Sequence, residues 1–160
     1  MKTIPFYLIS AILICFQNSN LAQNNLLSLS ELNQQKKFTN IDDAIKNKDK
    51  VYILSLSNQT LKVIPEMLFQ LTKIQYLDLR NNQLTTLPKE IVQLKNLQFL
   101  ILADNTLLSV PSFIINLSEL KVLDLSGNRL QSIPVGISNL SKLEELSIQN
   151  NQLHQGQKGL

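Results

Sequence analysis

The sequence predicts an α/β solenoid. It is a right-handed stack of coils, each giving one short strand to a parallel concave sheet and one short helical or 3₁₀ turn to the convex side. Three observations predict it. Residues 51–153 repeat with a period of 23. Each unit opens with a short stretch in which apolar residues alternate with others, the pattern of a strand with one buried face. A proline follows an apolar residue at the same place in four successive units. A unit this short cannot enclose a core alone, so the units must stack.

The strand stretches align without gaps as Val51–Leu56, Ile74–Leu79, Leu97–Leu102, Leu120–Leu125 and Leu143–Ile148. Leu54, Leu77, Leu100, Leu123 and Leu146 fall in one register, and Leu61, Leu84, Leu107, Leu130 and Leu153 in another. Asn82, Asn105, Asn128 and Asn151 come just after each strand, where the coil turns; Gln59 stands in that place in the first unit. Pro65, Pro88, Pro111 and Pro134 open the second half of the units. Proline fixes φ and lacks an N–H, which suits the start of a short helical turn. Ile91, Ile114 and Ile137, with Leu71, Leu94, Leu117 and Leu140, then face inward.

These residues resemble the leucine-rich-repeat family, L-x-x-L-x-L-x-x-N-x-L, in its bacterial subtype with L-P-x-x-I-x-x-L in the second half, which Leu87–Leu94 shows in full. The resemblance covers about two thirds of the chain. It implies a right-handed leucine-rich-repeat solenoid with four full repeats and a partial fifth. It also implies that the asparagines are buried as a hydrogen-bonded ladder along the stack. An amide suits that role because it both donates and accepts. Gln59, with its longer side chain, departs from the ladder at the N-terminal end.

Residues 1–22 read as an export signal. Lys2 precedes an uncharged apolar run, Ile4–Phe16, and a polar stretch follows. The run is 13 residues long, short of the roughly 20 that span a bilayer. Cleavage after Ala22 is the reading adopted; an uncleaved anchor and lipid attachment at Cys15 are the alternatives. Cys15 is the sole cysteine, so a cleaved chain carries no thiol for a disulfide, a nucleophile or a metal. Residues 23–50 form an N-terminal linker and helical cap. Thr39–Asn47 reads as a short helix capped by Asn40 or Thr39, with Asp42 and Asp43 in its first turn, Lys46 in its last and Ile41, Ala44 and Ile45 as its apolar face. Residues 23–38 are either a further helical turn or a linker. The fifth unit stops at Leu153, a polar tail (154–160) follows, and the last strand is an open edge.

Composition narrows the function. The net charge of +3 is spread over scattered residues, which does not make the basic face that nucleic acid requires. The single histidine, His154, lies at the tail, so neither a Ser-His-Asp triad nor a histidine metal site is expected, and no cofactor is implied. Asp78 and Asp124 hold the same repeat position two coils apart, roughly 9–10 Å by strand spacing, but a solvated face explains them better than a carboxylate pair. The residues singled out lie on the concave side. Its columns read Ile53, Tyr76, Phe99, Val122, Glu145; then Ser55, Asp78, Ile101, Asp124, Ser147; then Ser57, Arg80, Ala103, Ser126, Gln149. Tyr76, Phe99, Ile101 and Val122 are expected as an exposed apolar patch bordered by Asp78, Arg80 and Asp124, the arrangement of a protein-binding hot spot. Stacking along the sheet explains the same residues without a partner. The expectation is a non-catalytic module of bacterial type, secreted or held at the cell surface or periplasm, with no stable membrane insertion after cleavage. By family analogy it would bind a protein of host or matrix origin. Self-association through the C-terminal edge is one alternative, and an intracellular scaffold, should the signal not be cleaved, is another.

Overall fold

The computed structural model describes residues 26–154. The chain divides into two compact units, Met1–Gln34 and Gln35–Leu160. In the first, helix α1 (Leu29–Leu32) is one turn long and set by a capping box. Ser28 Oγ accepts from the Glu31 N–H at 3.3 Å, and Glu31 Oε2 accepts from the Ser28 N–H at 2.8 Å. Of the two readings of this stretch, the helical turn is the one found. The export-signal residues lie outside the described residues. Among those described, no helix is long and apolar enough to cross a membrane.

The second unit carries one parallel sheet of six strands in sequential order: β1 (Lys37–Phe38), β2 (Ile53–Ser55), β3 (Tyr76–Asp78), β4 (Phe99–Ile101), β5 (Val122–Asp124) and β6 (Glu145–Ser147). From β2 onward, partners are offset by the repeat length, with Leu54, Leu77, Leu100, Leu123 and Leu146 side by side. The prolines mark the convex side as expected. Pro65, Pro88 and Pro111 immediately precede 3₁₀ turns at Glu66–Gln70, Lys89–Gln93 and Ser112–Asn116. The fourth turn, Ile137–Asn139, is shorter and is entered through Gly136, whose φ of +93° a residue with a Cβ would adopt only under strain.

The leucines and isoleucines that recur at 23-residue spacing fill the space between sheet and turns. Leu54, Leu56, Leu71, Ile74, Leu77, Leu79, Leu94, Leu97, Leu100, Leu102, Leu117, Leu120, Leu123 and Leu125 are completely inaccessible. Each such side chain contributes roughly 1.5–3 kcal/mol by leaving water. No single coil can supply that burial, so the coils stand or fall together.

The asparagine ladder is present and its geometry shows why the position is fixed. Asn105 Nδ2 donates to Leu79 O and Leu102 O, both at 3.0 Å, and Asn105 Oδ1 accepts from the Leu84 N–H at 3.0 Å. One side chain thus ties its own coil to the coil before it. Asn128 repeats the pattern on Leu102, Leu125 and Leu107, and Asn151 on Leu125, Ile148 and Leu130. Asn82 starts the ladder and accepts from the N–H groups of Gln59 and Leu61. Gln59 does depart from it: its side chain is exposed and reaches back to Thr39 O at 2.9 Å. Just before each ladder position the chain takes a left-handed residue, at Asn58, Asn81, Asp104, Gly127 and Asn150, with φ between 53° and 65°. Asn, Asp and Gly are the residues that tolerate this conformation.

The N-terminal cap follows the expectation in its helix and adds a strand. Helix α2 (Ile41–Lys46) is capped by Asn40, whose Oδ1 accepts from the Asp43 N–H at 3.0 Å. Ala44 is buried, and Ile41 and Ile45 pack on the core. The strand β1 was not expected. Phe38 pairs in register with Leu54 and is buried with it, so the sheet begins one coil earlier than residue 51. The spacing from Phe38 to Leu54 is 16 residues, because α2 and the 3₁₀ turn Lys48–Lys50 replace the usual connection, and a search at the repeat period passes over it. At the other end, Leu143, Leu146 and Ile148 are only partly buried, whereas their equivalents Leu120, Leu123 and Leu125 are inaccessible.

Candidate functional site on the concave sheet face

Strand alternation puts the expected residues on one surface. Tyr76, Phe99 and Val122 adjoin one another along the first column, and Asp78, Ile101 and Asp124 along the second. The rings of Tyr76 and Phe99 lie 5.8 Å apart, tilted by 34°. In one respect the expectation needs correction: the patch is not broadly exposed. Phe99, Ile101 and Val122 retain only 7–8% of their accessible surface, and Tyr76 alone is partly open. Side chains about 4.8 Å apart on neighbouring strands cover one another's flanks, and curvature of a coil stack toward this face brings them closer. The patch is a close-packed floor.

The polar residues on this floor divide into a closed group and an open one. Asp78 belongs to the first. Its Oδ1 accepts from the Arg80 backbone N–H at 3.1 Å and from Arg80 Nε at 2.9 Å, and its Oδ2 accepts from Ser55 Oγ at 3.3 Å. The Asp78 side chain is nearly buried and that of Arg80 about one-third exposed. Burial pushes the Tyr76 phenol above the usual tyrosine range, and the charges of Asp78 and Asp124 add to this, while Arg80 opposes it. Burial works against the Arg80 charge, but the hydrogen bond and charge of Asp78, with help from Tyr76, outweigh it and hold the guanidinium firmly protonated.

Asp124 is engaged on one oxygen: its Oδ1 accepts from the Ser126 N–H at 3.0 Å and from Ser126 Oγ at 2.6 Å. Glu145 Oε1 accepts from Ser147 Oγ at 3.3 Å. Both residues are partly exposed, and Asp104, at the rim, is exposed. Asp78 and Asp124 therefore occupy unlike environments despite sharing a repeat position, and no enclosing cleft brings them to a common reacting atom. Two shallow grooves lie elsewhere. One, on the flank, is lined by Lys62, Val63, Gln83, Thr85 and Thr106; the other, on the convex side, by Glu66, Phe69, Gln70, Glu90 and Gln93. Among the described residues, no group of three His, Cys, Asp or Glu side chains is placed to hold a metal ion.

One polar feature escaped the sequence reading. Gln75 and Gln98 are almost fully buried, and Gln98 Nε2 donates to Gln75 Oε1 at 2.9 Å. They hold the same place in consecutive coils, immediately before β3 and β4, on the inward side of the alternation. Two amides at one repeat position, where other coils have Tyr52, Lys121 and Glu144, were the available signal.

A sheet built from one short parallel strand per coil, 3₁₀ turns behind it and an asparagine ladder between the coils define a leucine-rich-repeat solenoid. A family model described as a leucine-rich repeat region matches residues 49–158, more than half of the chain, and the chain belongs to that family. A solved leucine-rich-repeat protein of Leptospira interrogans matches it with a TM-score of 0.58 at 37% sequence identity, over 74% of this chain and 36% of its own. The chain thus spans about a third of that protein's length. No curated protein matches the chain. The fold is typical of protein-binding modules, and the family is generally a non-enzymatic scaffold.

Proposed function

We propose that the chain is a non-catalytic, exported protein-binding module that engages its partner with the concave face of the sheet. The observation that carries this reading is the uneven use of that face. Asp78, Arg80 and Ser55 satisfy one another, whereas Tyr76 stands partly open beside Phe99, and Asp124 and Glu145 each have only one oxygen engaged. Stacking alone accounts for Phe99, Ile101 and Val122 but gives no reason for charged groups directed at open water across a packed apolar floor. The contact residues on this reading are Tyr76, Phe99, Ile101, Val122, Asp78, Arg80 and Asp124. Surface plasmon resonance against a panel of extracellular-matrix proteins, with Tyr76→Ser/Phe99→Ser beside the wild type, tests it. Binding lost in a variant that keeps its circular dichroism supports the face; binding retained in full sinks it.

Export rests on the charged start and short apolar run of residues 2–16, and the reading includes a secreted, surface or periplasmic location in a bacterium. The intact mass of the natural protein decides between a chain beginning at Gln23 and one retaining Met1, the latter favouring an anchored or intracellular scaffold. A second functional reading has its own observation: the part-exposed Leu143, Leu146 and Ile148 beside β6. On that reading two copies pair through this edge. Light scattering that finds a dimer at micromolar concentration, lost on Ser147→Pro, supports it, and a monomer at every concentration removes it.

A further inference from the structure

The charges on the concave face are sorted along the solenoid. At the N-terminal end Lys37 lies in register with Ile53, in the first column. In the middle, Arg80 is bound to Asp78. From β4 onward the three columns hold Phe99, Ile101, Ala103, Val122, Asp124, Ser126, Glu145, Ser147 and Gln149: two carboxylates and no cation. Asp104 on the adjoining rim adds a third. None of the three takes part in an ion pair, since the pairs among the described residues are Lys36–Asp43, Arg80–Asp78 and Lys142–Glu119. Of the nearest lysines in sequence, Lys121 sits one residue before β5, on the side of the alternation that buries Gln75 and Gln98 and not in the concave columns, and Lys142, three residues before Glu145, is paired with Glu119. In a chain whose net charge is +3, this half of the sheet face is negative over an apolar floor.

We infer that the β4–β6 part of the concave face receives a basic, extended protein segment, its Lys or Arg side chains meeting Asp124 and Glu145 and its apolar side chains lying on Phe99 and Val122. The inference rests on the concave-face reading and adds the chemistry of the partner. Charge complementarity of this kind sets partner choice and association rate, and like charge at the same place repels wrong partners. The geometry suits an extended chain. Glu145 lies one strand over and two residues back from Asp124; with strands about 4.8 Å apart and a rise of about 3.3 Å per residue the two are roughly 8 Å apart, a span of two or three residues of an extended chain. Asp78 is not part of this subsite, because both of its oxygens already accept hydrogen bonds within the protein.

Selection from a displayed library of random linear peptides on the full chain tests this. The expected result is enrichment of peptides of net positive charge. Their affinity should fall by roughly tenfold or more on Asp124→Lys/Glu145→Lys, weaken with added salt, and fall as well on Tyr76→Ser/Phe99→Ser. Enriched peptides that are neutral or acidic, yet are lost on Tyr76→Ser/Phe99→Ser, overturn the basic partner and leave the concave face standing. Enrichment insensitive to both pairs of substitutions, or no enrichment at all, overturns the site together with its chemistry. Circular dichroism and the urea midpoint of each variant separate lost binding from lost fold.

Discussion

Replacing Asn105 by Ala removes a side chain that serves two coils at once. Its Nδ2 reaches Leu79 O and Leu102 O, and its Oδ1 satisfies the Leu84 N–H. All three partners belong to residues with no accessible surface, so water cannot replace the amide without opening the stack. A buried backbone group left without a partner costs about 1–3 kcal/mol. With one donor and two acceptors affected, and some relief as carbonyls keep their other bonds, the expected loss is roughly 3–5 kcal/mol. Asn151 makes the corresponding bonds to Leu125 O, Ile148 O and the Leu130 N–H, but it is itself only partly buried in the last described coil. After Asn151→Ala water can reach Ile148 O, which is partly exposed, though Leu125 and Leu130 have no accessible surface, and the expected loss falls to about 2–3 kcal/mol. Urea unfolding followed by circular dichroism reads both. Equal losses at the two positions, or a loss below about 0.5 kcal/mol at Asn105, would refute the argument that each ladder amide holds two coils together in the absence of water.

Two further outcomes follow from single positions. At Gly127, with φ +65°, an added Cβ would collide with Asp104 Oδ1. Gly127→Ala should therefore destabilise by about 1–3 kcal/mol, and Asp104→Ala should recover the steric share but not the share due to φ; equal effects in both backgrounds would show that the close approach does not matter. Tyr76 has its pKa raised first by burial. The unfolded chain therefore loses this proton at lower pH than the folded one. The contribution to stability is complete below the ordinary tyrosine range and is lost as pH rises through the folded value. Urea midpoints measured across the alkaline range should fall more steeply for the wild type than for Tyr76→Phe, and parallel curves would argue against a buried phenol.

The sequence made the solenoid readable because each core position is filled five times over. Leu54 alone implies little, but Leu54, Leu77, Leu100, Leu123 and Leu146 at one spacing leave few other structures that bury all of them. Asn40 as a helix cap was readable for a local reason, since a short polar side chain can satisfy an N–H three residues on. The strand at Phe38 had neither support. It occurs once, off the period, and is held by pairing with β2 rather than by any pattern of its own. The concave face was legible in membership and not in exposure. Alternation decides which side a residue faces, but the 7–8% accessibility of Phe99, Ile101 and Val122 depends on how closely neighbouring strands and their curvature crowd those side chains. That is a property of the stacked sheet, and one repeat does not contain it.

The same reasoning separates Asp78 from Asp124, which a repeat alignment treats as equivalent. Each carboxylate is set by what stands two residues on and one coil back. Arg80 follows Asp78, and Ser55 precedes it on β2, so both oxygens are used and the charge is neutralised in place. Ser126 follows Asp124, and Ile101 lies beside it on β4, so one oxygen is engaged and no cation approaches. The core positions of a solenoid must repeat, because every coil buries the same surface. The concave positions are released from that requirement, so a difference between coils there reflects what each coil is placed to meet. The unpaired charge of Asp124 and Glu145, beside a floor already closed by its own packing, is such a difference. On the proposed reading it supports recognition by the C-terminal half of the sheet more strongly than the aromatic residues do.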